Sequence, residues 1–324
     1  MEICSLLPSG TEILYALGLG DQIVGVTDLC EYPAEVSEKP IVCRSRIDVD
    51  NLSSQEVEAM MRRILEAGES PYELDGEWIS SNSPDVVLTQ DLCYFCEVDA
   101  KTVGRTVEQM PMPPEVVVLN PRTLKEIFDS IVQIGEICGA RQQAIDLVAD
   151  LEGRVKRLEA TLAIAEEKPR VFSLEGVNPL VIGGHWIPDM LLRAGGDLDM
   201  FQPGCPATRL SWEQVVNYAP QKLFVDLCSS GLGRQKAEIP WLAGQENWVT
   251  LPAVQSGEVY LIDHVYFSVP GPRIVTGLEI LAQLTHPSLF DGLIPSDTVL
   301  KLDASAARSA SADEVAECFV PWPN

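Results

Sequence analysis

The chain has 324 residues, 46% hydrophobic and 22% charged, which is room for two domains of ordinary composition and excludes disorder over most of its length. Its 23 Lys and Arg stand against 48 Asp and Glu, a formal net charge of −25. A surface that acidic repels nucleic-acid phosphates and anionic headgroups, and no run approaches the roughly 18 apolar residues of a membrane span, so neither a nucleic-acid partner nor a membrane-embedded segment is expected.

Residues 3–7 form a short apolar run closed by Pro8-Ser9-Gly10, followed by a helical pattern to Leu17 that Ser9 or Thr11 is placed to cap. Residues 23–27 read as a second strand and 40–43 as a third, with loop at 28–33. Ser53 and Ser54 cap an amphipathic helix with Val57, Met60, Met61, Ile64 and Leu65 inward. A short helix is predicted over 74–82, then strand Val86-Val87-Leu88 after Pro84-Asp85, loop over 91–97, and strand 116–119. Strands separated by helices predict parallel α/β packing.

Asn120 and Pro121 suit a helix cap and first position, with Leu124, Ile127, Ile131, Ile134 and Cys138 on the inner face. Beyond Gly139 a second periodic set, Ile145, Val148, Leu151, Val155, Leu158 and Leu162, predicts one helix over 140–166, about 40 Å long. An ordinary surface helix would show the same pattern. After Pro169 the strand–helix alternation restarts: strands at 170–174, 180–182, 223–227 and 259–263, and helices at 188–194, from Ser211 to Tyr218, and from Pro272 to Leu284. In both halves a Pro-led strand is followed by Asp-Leu-Cys, at Asp91-Leu92-Cys93 and Asp226-Leu227-Cys228. The expected architecture is therefore α/β, two similar lobes with parallel-type central sheets bridged by one long helix. The boundaries are 1–138, 139–168 for the bridge, 169–303, and a flexible tail over 304–324. A continuous helix without interior proline, weakened only at Gly153, is expected to limit lobe movement on ligand binding.

The chemistry-bearing residues are few. Cys93-Tyr94-Phe95-Cys96 holds two thiols at a spacing suited to a metal ion or redox pair, and Cys30 and Cys43 are placed to complete a four-thiol metal site. Loop and core thiols, or a thiol cluster facing a ligand, are the other readings. Three histidines occur; His185 and His264 are candidate ligands to a bound metal complex, whereas His286 before Pro287 suits a helix end. Arg44, Arg46, Arg209 and Arg273 offer guanidinium forks for carboxylates or phosphates, and Trp186, Tyr94, Phe95, Tyr266 and Phe267 offer flat apolar walls. No G-x-S-x-G, P-loop or H-E-x-x-H is present, and Glu31 has no evident partner to orient it as an acid or base.

Ser5-Leu6-Leu7-Pro8-Ser9-Gly10-Thr11-Glu12 through Leu19 resembles the opening of the cobalamin- and iron-siderophore-type substrate-binding proteins of ABC importers. Val24 to Pro33, Pro84-Asp85-Val86-Val87-Leu88-Thr89-Gln90, Leu174-Glu175-Gly176 to Leu180, Gly184-His185-Trp186 and Pro270-Gly271-Pro272-Arg273 resemble that family in the same order, over residues 2–287. The resemblance implies a helical-backbone fold and a small-molecule ligand between the lobes: a corrinoid such as cobalamin, another tetrapyrrole or a metal chelate. It implies contacts from Ser9, Glu31, Tyr32, Arg44, Gln90, Cys93, Phe95, Trp186, Arg209, His264 and Phe267, with Arg44 and Arg209 facing the cleft from opposite lobes, and an ABC permease as partner. Residues 1–20 lack a basic n-region, and Pro8 and Gly10 interrupt the apolar run, so they do not read as a secretory signal. With nine cysteines this gives the expectation of a reducing, cytoplasmic location, or of a periplasmic one if a leader precedes this chain. The alternative function is a cytosolic enzyme or redox protein on the same fold, using Cys30, Cys43, Cys93 and Cys96.

Overall fold

Short β-branched and apolar runs form the centre of each of two sheets, and the helices between them cover the faces. A computed structural model describes residues 1–49, 51–92, 100–108 and 110–323. The first lobe runs β1 (Ile3–Ser5), α1 (Pro8–Ala16), β2 (Ile23–Thr27), β3 (Ile41–Ser45), α2 (Ser54–Glu66), β4 (Tyr72–Leu74), α3 (Gly76–Asn82), β5 (Val86–Thr89), α4 (Ala100–Val107), β6 (Glu115–Val118) and α5 (Leu124–Ile137). Its sheet order is β4-β3-β2-β1-β5-β6, parallel except at β4. After α6 (Arg141–Leu162) the second lobe runs β7 (Val171–Gly176), β8 (Val181–Ile182), α7 (Ile187–Arg193), β9 (Thr208–Arg209), α8 (Trp212–Tyr218), β10 (Lys222–Val225), α9 (Leu232–Ala243), α10 (Pro252–Ser256), β11 (Val259–Ile262), α11 (Ile274–Thr285), β12 (Val299–Leu302), α12 (Ala304–Ala307) and β13 (Phe319–Pro321). Its order is β13-β12-β11-β10-β7-β8-β9; β7, β10 and β11 are parallel and the outer strands antiparallel. Two α/β lobes with parallel centres are thus present, and the antiparallel edges are what the strand–helix alternation did not reveal.

Several local expectations change. The helix predicted over 74–82 is a strand end plus α3, because Asp75 both joins the sheet through its N–H to the Val42 carbonyl (2.8 Å) and caps α3 by accepting from Trp78 N (2.8 Å). Helix α5 begins three residues late: Thr123 is the cap, accepting from Glu126 N at 3.2 Å, and Asn120 Oδ1 instead accepts from Asp91 N at 2.7 Å. Neither Ser9 nor Thr11 caps α1; both are buried within it, and Pro8 occupies its first turn. Helix α6 spans 22 residues, about 33 Å rather than about 40 Å.

The tail, expected to be flexible over 304–324, is folded onto the second lobe across residues 304–323. Phe319 and Val320 pair with Leu302 and Lys301 as the edge strand of the second sheet, and Trp322 N donates to the Val299 carbonyl at 2.9 Å. Val315, Cys318 and Phe319 are buried in the second lobe's core, and the Trp322 ring lies 6.0 Å from that of Tyr260. The apolar C-terminal run thus closes a sheet edge that would otherwise stand open. Phe319→Ala is expected to lower unfolding stability by about 3 kcal/mol in urea titration, the scale of deleting a buried phenyl ring; a loss within about 0.5 kcal/mol would mean that the tail frays.

The lobes share more than the bridge. One apolar cluster runs from Ile3, Leu14 and Ile131 in the first lobe through Leu151 and Leu158 of α6 to Met190, Phe224 and Leu278 in the second. Arg154 of α6 donates to both carboxylate oxygens of Glu279 (3.0 and 2.6 Å) and to Thr276 (2.9 Å) on α11. Arg273, just before α11, donates to Glu12 of α1, and Leu124 N donates to Asp189 Oδ2 of α7 at 3.0 Å. A second set crosses between α2 and the second lobe: Arg209 pairs with Glu58, Arg234 Nε donates to the Val49 carbonyl at 2.7 Å, and Ser54 N donates to Glu238 Oε1 at 2.6 Å. If the shared core and α6 fix the lobes, cutting this second set changes little. The Arg209→Gln/Arg234→Gln/Glu238→Gln variant is expected to keep a radius of gyration within about 1.5 Å of the wild-type value, near 20 Å for this length, in small-angle scattering. A larger increase would show that the polar contacts, not the helix, hold the lobes together.

Candidate functional site

In a parallel sheet the strands' carboxyl ends point one way, and ligands collect there. Here the two sheets aim those ends at one gap. From the first lobe come Leu7 and Ser9 after β1, Gln90 and Leu92 after β5, and Leu119 and Pro121 after β6; from the second, Glu175 at the end of β7 and Asp226 and Cys228 after β10. These residues, with His185, Trp186, Ile187, Phe267, Ser268 and Pro270, line a narrow inner chamber of about 70 Å³. An outer chamber of about 400 Å³ lies beside it, walled by Val57 and Met61 of α2, Ile47, Val49 and Tyr72, and across the gap by Val177, Pro179, Val181, Leu227, Arg209 and Arg234. Leu92, Glu175, His185 and Cys228 belong to both, so the two chambers are one cleft. Of the inward face predicted for α2, Val57 and Met61 line this cleft; only Met61 is fully buried, and Leu65 is exposed.

The inner walls are rigid. Trp186 Nε1 donates to the Phe267 carbonyl at 2.7 Å, locking the two aromatic residues together. Gly184 approaches the 206–207 backbone so closely that a Cβ would sit 2.1 Å from Ala207 N. The following residue, His185, has φ 54, a left-handed conformation disfavoured in a residue with a Cβ; its N–H donates to the Cys205 carbonyl (2.6 Å), and its carbonyl accepts from Gly204 N (2.9 Å). Burial, aided by the positive charge of Arg122, pushes the His185 imidazole below its ordinary value, so it is neutral at pH 7.

Polar groups are sparse and specific. Ser173 Oγ donates to Asp226 Oδ1 at 2.6 Å, and Gly184 N donates to Glu175 Oε2 at 3.3 Å. Asp226 is buried, and desolvation, with the nearby charge of Glu175, raises its carboxyl well above the usual range despite the Ser173 bond. Gln90 Oε1 accepts from Leu92 N, bending the chain after β5 into the cleft wall.

Of the residues expected at the ligand, Ser9, Gln90, Trp186, Phe267 and Arg209 line the cleft. Arg44 does not: it is exposed on β3 opposite Glu73, and the group that faces Arg209 is Glu58. Glu31 is exposed and outside the lining. Tyr32 stacks under the Arg273 guanidinium at 4.1 Å, in a separate hollow beside α1 and α6, because Arg273 is drawn there by Glu12. His264 opens a 3₁₀ turn capped by Asp263 and is not among the lining residues. Cys93, Phe95 and Cys96 lie outside the described residues. Cys43 is buried in β3, and Cys30 Sγ lies 3.1 Å from Thr11 Oγ1; among the described residues no three His, Cys, Asp or Glu side chains gather as a metal site. Sequence reasoning missed Asp226, Glu175 and the second-lobe loop at 177–181 as cleft residues, although the Asp-Leu-Cys repeat had marked the right place.

This architecture, two α/β lobes on a helical backbone with a ligand-sized cleft between the strand ends, is that of a substrate-binding protein. The chain belongs to the periplasmic binding protein family, which it matches over residues 3–266. It is 27% identical over 302 residues to an uncharacterised ABC transporter substrate-binding lipoprotein of Bacillus subtilis, covering 89% of this chain and 81% of that one. It is 23% identical to the vitamin B12-binding protein of Vibrio cholerae over 86% of each chain. A periplasmic haem-binding protein from Pseudomonas aeruginosa has the same fold, with TM-score 0.67 and 18% identity over 89% of this chain and 93% of that one. No helix among the described residues is long and apolar enough to cross a membrane.

The elevated Asp226 carboxyl makes stability depend on pH. Below the ordinary aspartate value, about 3.9, both the folded and the unfolded chain hold this proton. As pH rises through that value the unfolded chain releases it while the folded one retains it, so stability falls. Asp226→Asn, which can still accept from Ser173, is expected to match wild type near pH 4 and to melt a few degrees higher by pH 8. A melting difference that does not grow with pH would mean that Asp226 is not held protonated by burial.

Proposed function

We propose that the protein captures a metal chelate of the corrinoid or tetrapyrrole class between its lobes and presents it to the permease of an ABC importer. The carrying observation is the two-chambered cleft at the strand ends, with rigid aromatic walls inside and an apolar outer room closed by polar side chains. A flat macrocycle suits the outer room: it covers the half-exposed Val49, Val57, Pro179 and Val181 while its polar rim meets a few fixed groups. Support comes also from relatives whose names record vitamin B12 and haem binding. Admission requires the Arg209–Glu58 and Arg234–Val49 contacts to part, since they cross the outer chamber's mouth.

Absorbance titration of the purified protein with cyanocobalamin, haem and a ferric chelate tests this. At least one is expected to bind saturably with a 1:1 stoichiometry, and Trp186→Ala to weaken it at least ten-fold. Failure of all three to saturate would remove the reading.

A further inference from the structure

Resting on that reading, we propose that the inner chamber selects its ligand by charge: it accepts a neutral or cationic hydrogen-bond donor, such as an amide-rimmed macrocycle, and rejects a carboxylate-rimmed one.

The lining carries the inference. Two carboxyl groups, Glu175 and Asp226, stand together in the chamber, and Asp226 is only 3% exposed. The remaining polar lining is Ser9, Gln90, Cys228, Ser268 and His185, the last kept neutral by burial. Among the described residues the chamber wall contains no Lys or Arg. The undescribed stretch 93–99 cannot supply one, because its residues include Glu97 and Asp99 but no basic side chain. Arg122, whose charge reaches His185, is exposed and outside the wall. Arg209 and Arg234 line the outer chamber and are absent from the inner wall.

A ligand carboxylate entering this chamber would lose its water, meet no Lys or Arg in the described wall and face the Glu175 carboxylate. An unpaired buried charge is among the most unfavourable groups a protein can enclose. An amide N–H or an ammonium would instead donate to the Glu175 carboxylate, a charge-assisted bond in a dry site, or to the carbonyl oxygen of the protonated Asp226. The carboxylate that disfavours an anion therefore favours a donor, and discrimination by an unmatched buried group exceeds what shape alone gives.

Matched probes isolate charge from shape: cyanocobalamin against its monocarboxylic acids, formed by hydrolysing one side-chain amide, and haem against its propionate diamide. In calorimetric or absorbance titrations at pH 7.5 the amide member of at least one pair is expected to bind ten-fold or more tightly than the acid member. The Asp226→Asn/Glu175→Gln variant, verified as folded by circular dichroism, is expected to narrow that ratio to about two-fold by strengthening the acid member. Equal or tighter binding of the acid forms by wild type would overturn the inference while leaving the proposed function standing. So would a ratio unchanged in the folded double variant. Absence of binding by every member would overturn the proposed function, and this selectivity with it.

Discussion

The buried pair of Glu12 and Arg273 fixes the geometry on which the cleft depends. Glu12 sits on the first helix of the first lobe, and Arg273 immediately before the last long helix of the second, so one contact, in which Nε and Nη2 both donate to Glu12 Oε1, joins elements 261 residues apart. Glu12 is 4% exposed, its Oε2 lacks a partner among the described residues, and burial raises its carboxyl even against the arginine. Such a pair need not add net stability, because desolvation offsets much of the attraction. Its geometric effect is firmer. It holds α1 against the start of α11, and the loop before α11 carries Phe267, Ser268 and Pro270 into the inner chamber. The same arginine takes Tyr32 away from the cleft.

Around that pair the shared apolar cluster works as a common floor. Helices α5, α6, α7 and α11 contribute to it from both lobes, so the lobes are two sheets on one helical base rather than two bodies on a tether. A packed interior transmits displacement and resists gradual deformation. The strand ends of both sheets are therefore presented at a nearly fixed separation, and adjustment is left to side chains and to the contacts at the mouth.

The fold was legible because its signals are local. Apolar runs led by proline, helical periodicity and the break at Gly139 mark the elements, and their alternation gives two parallel-centred lobes and the long helix. The tail was misread because Ala and Ser over 304–312 look flexible, whereas the decisive event, pairing of Phe319 with Leu302, is a tertiary contact with no local signature. The site was half legible for the same reason. Ser9, Gln90, Trp186 and Phe267 lie beside motifs or strand ends that sequence can point to. Arg44 alternates off the cleft because strand side chains switch faces at every residue, and a reading uncertain by one position places it on the wrong side. Asp226 was visible only as half of a repeated tripeptide; burial, which gives it chemical meaning, is not a property of sequence.

The contacts across the mouth differ in kind from those of the floor, and the difference suits a carrier. The Arg209–Glu58 pair is largely open to water on the arginine side, at 62% exposure, so its net contribution is at most about 1 kcal/mol. The Arg234 and Ser54 hydrogen bonds are more sheltered, and each contributes on the order of 1 kcal/mol. Parting all three thus costs a few kcal/mol, so the side chains at the mouth can rearrange while the shared core keeps the lobes in place. Exposed mouth contacts re-form with water or with ligand groups at little penalty, whereas breaking the floor would expose buried Leu, Ile and Phe side chains at about 1.5–3 kcal/mol each. Adjustment therefore follows the polar side, and the aromatic chamber of Trp186 and Phe267 stays assembled.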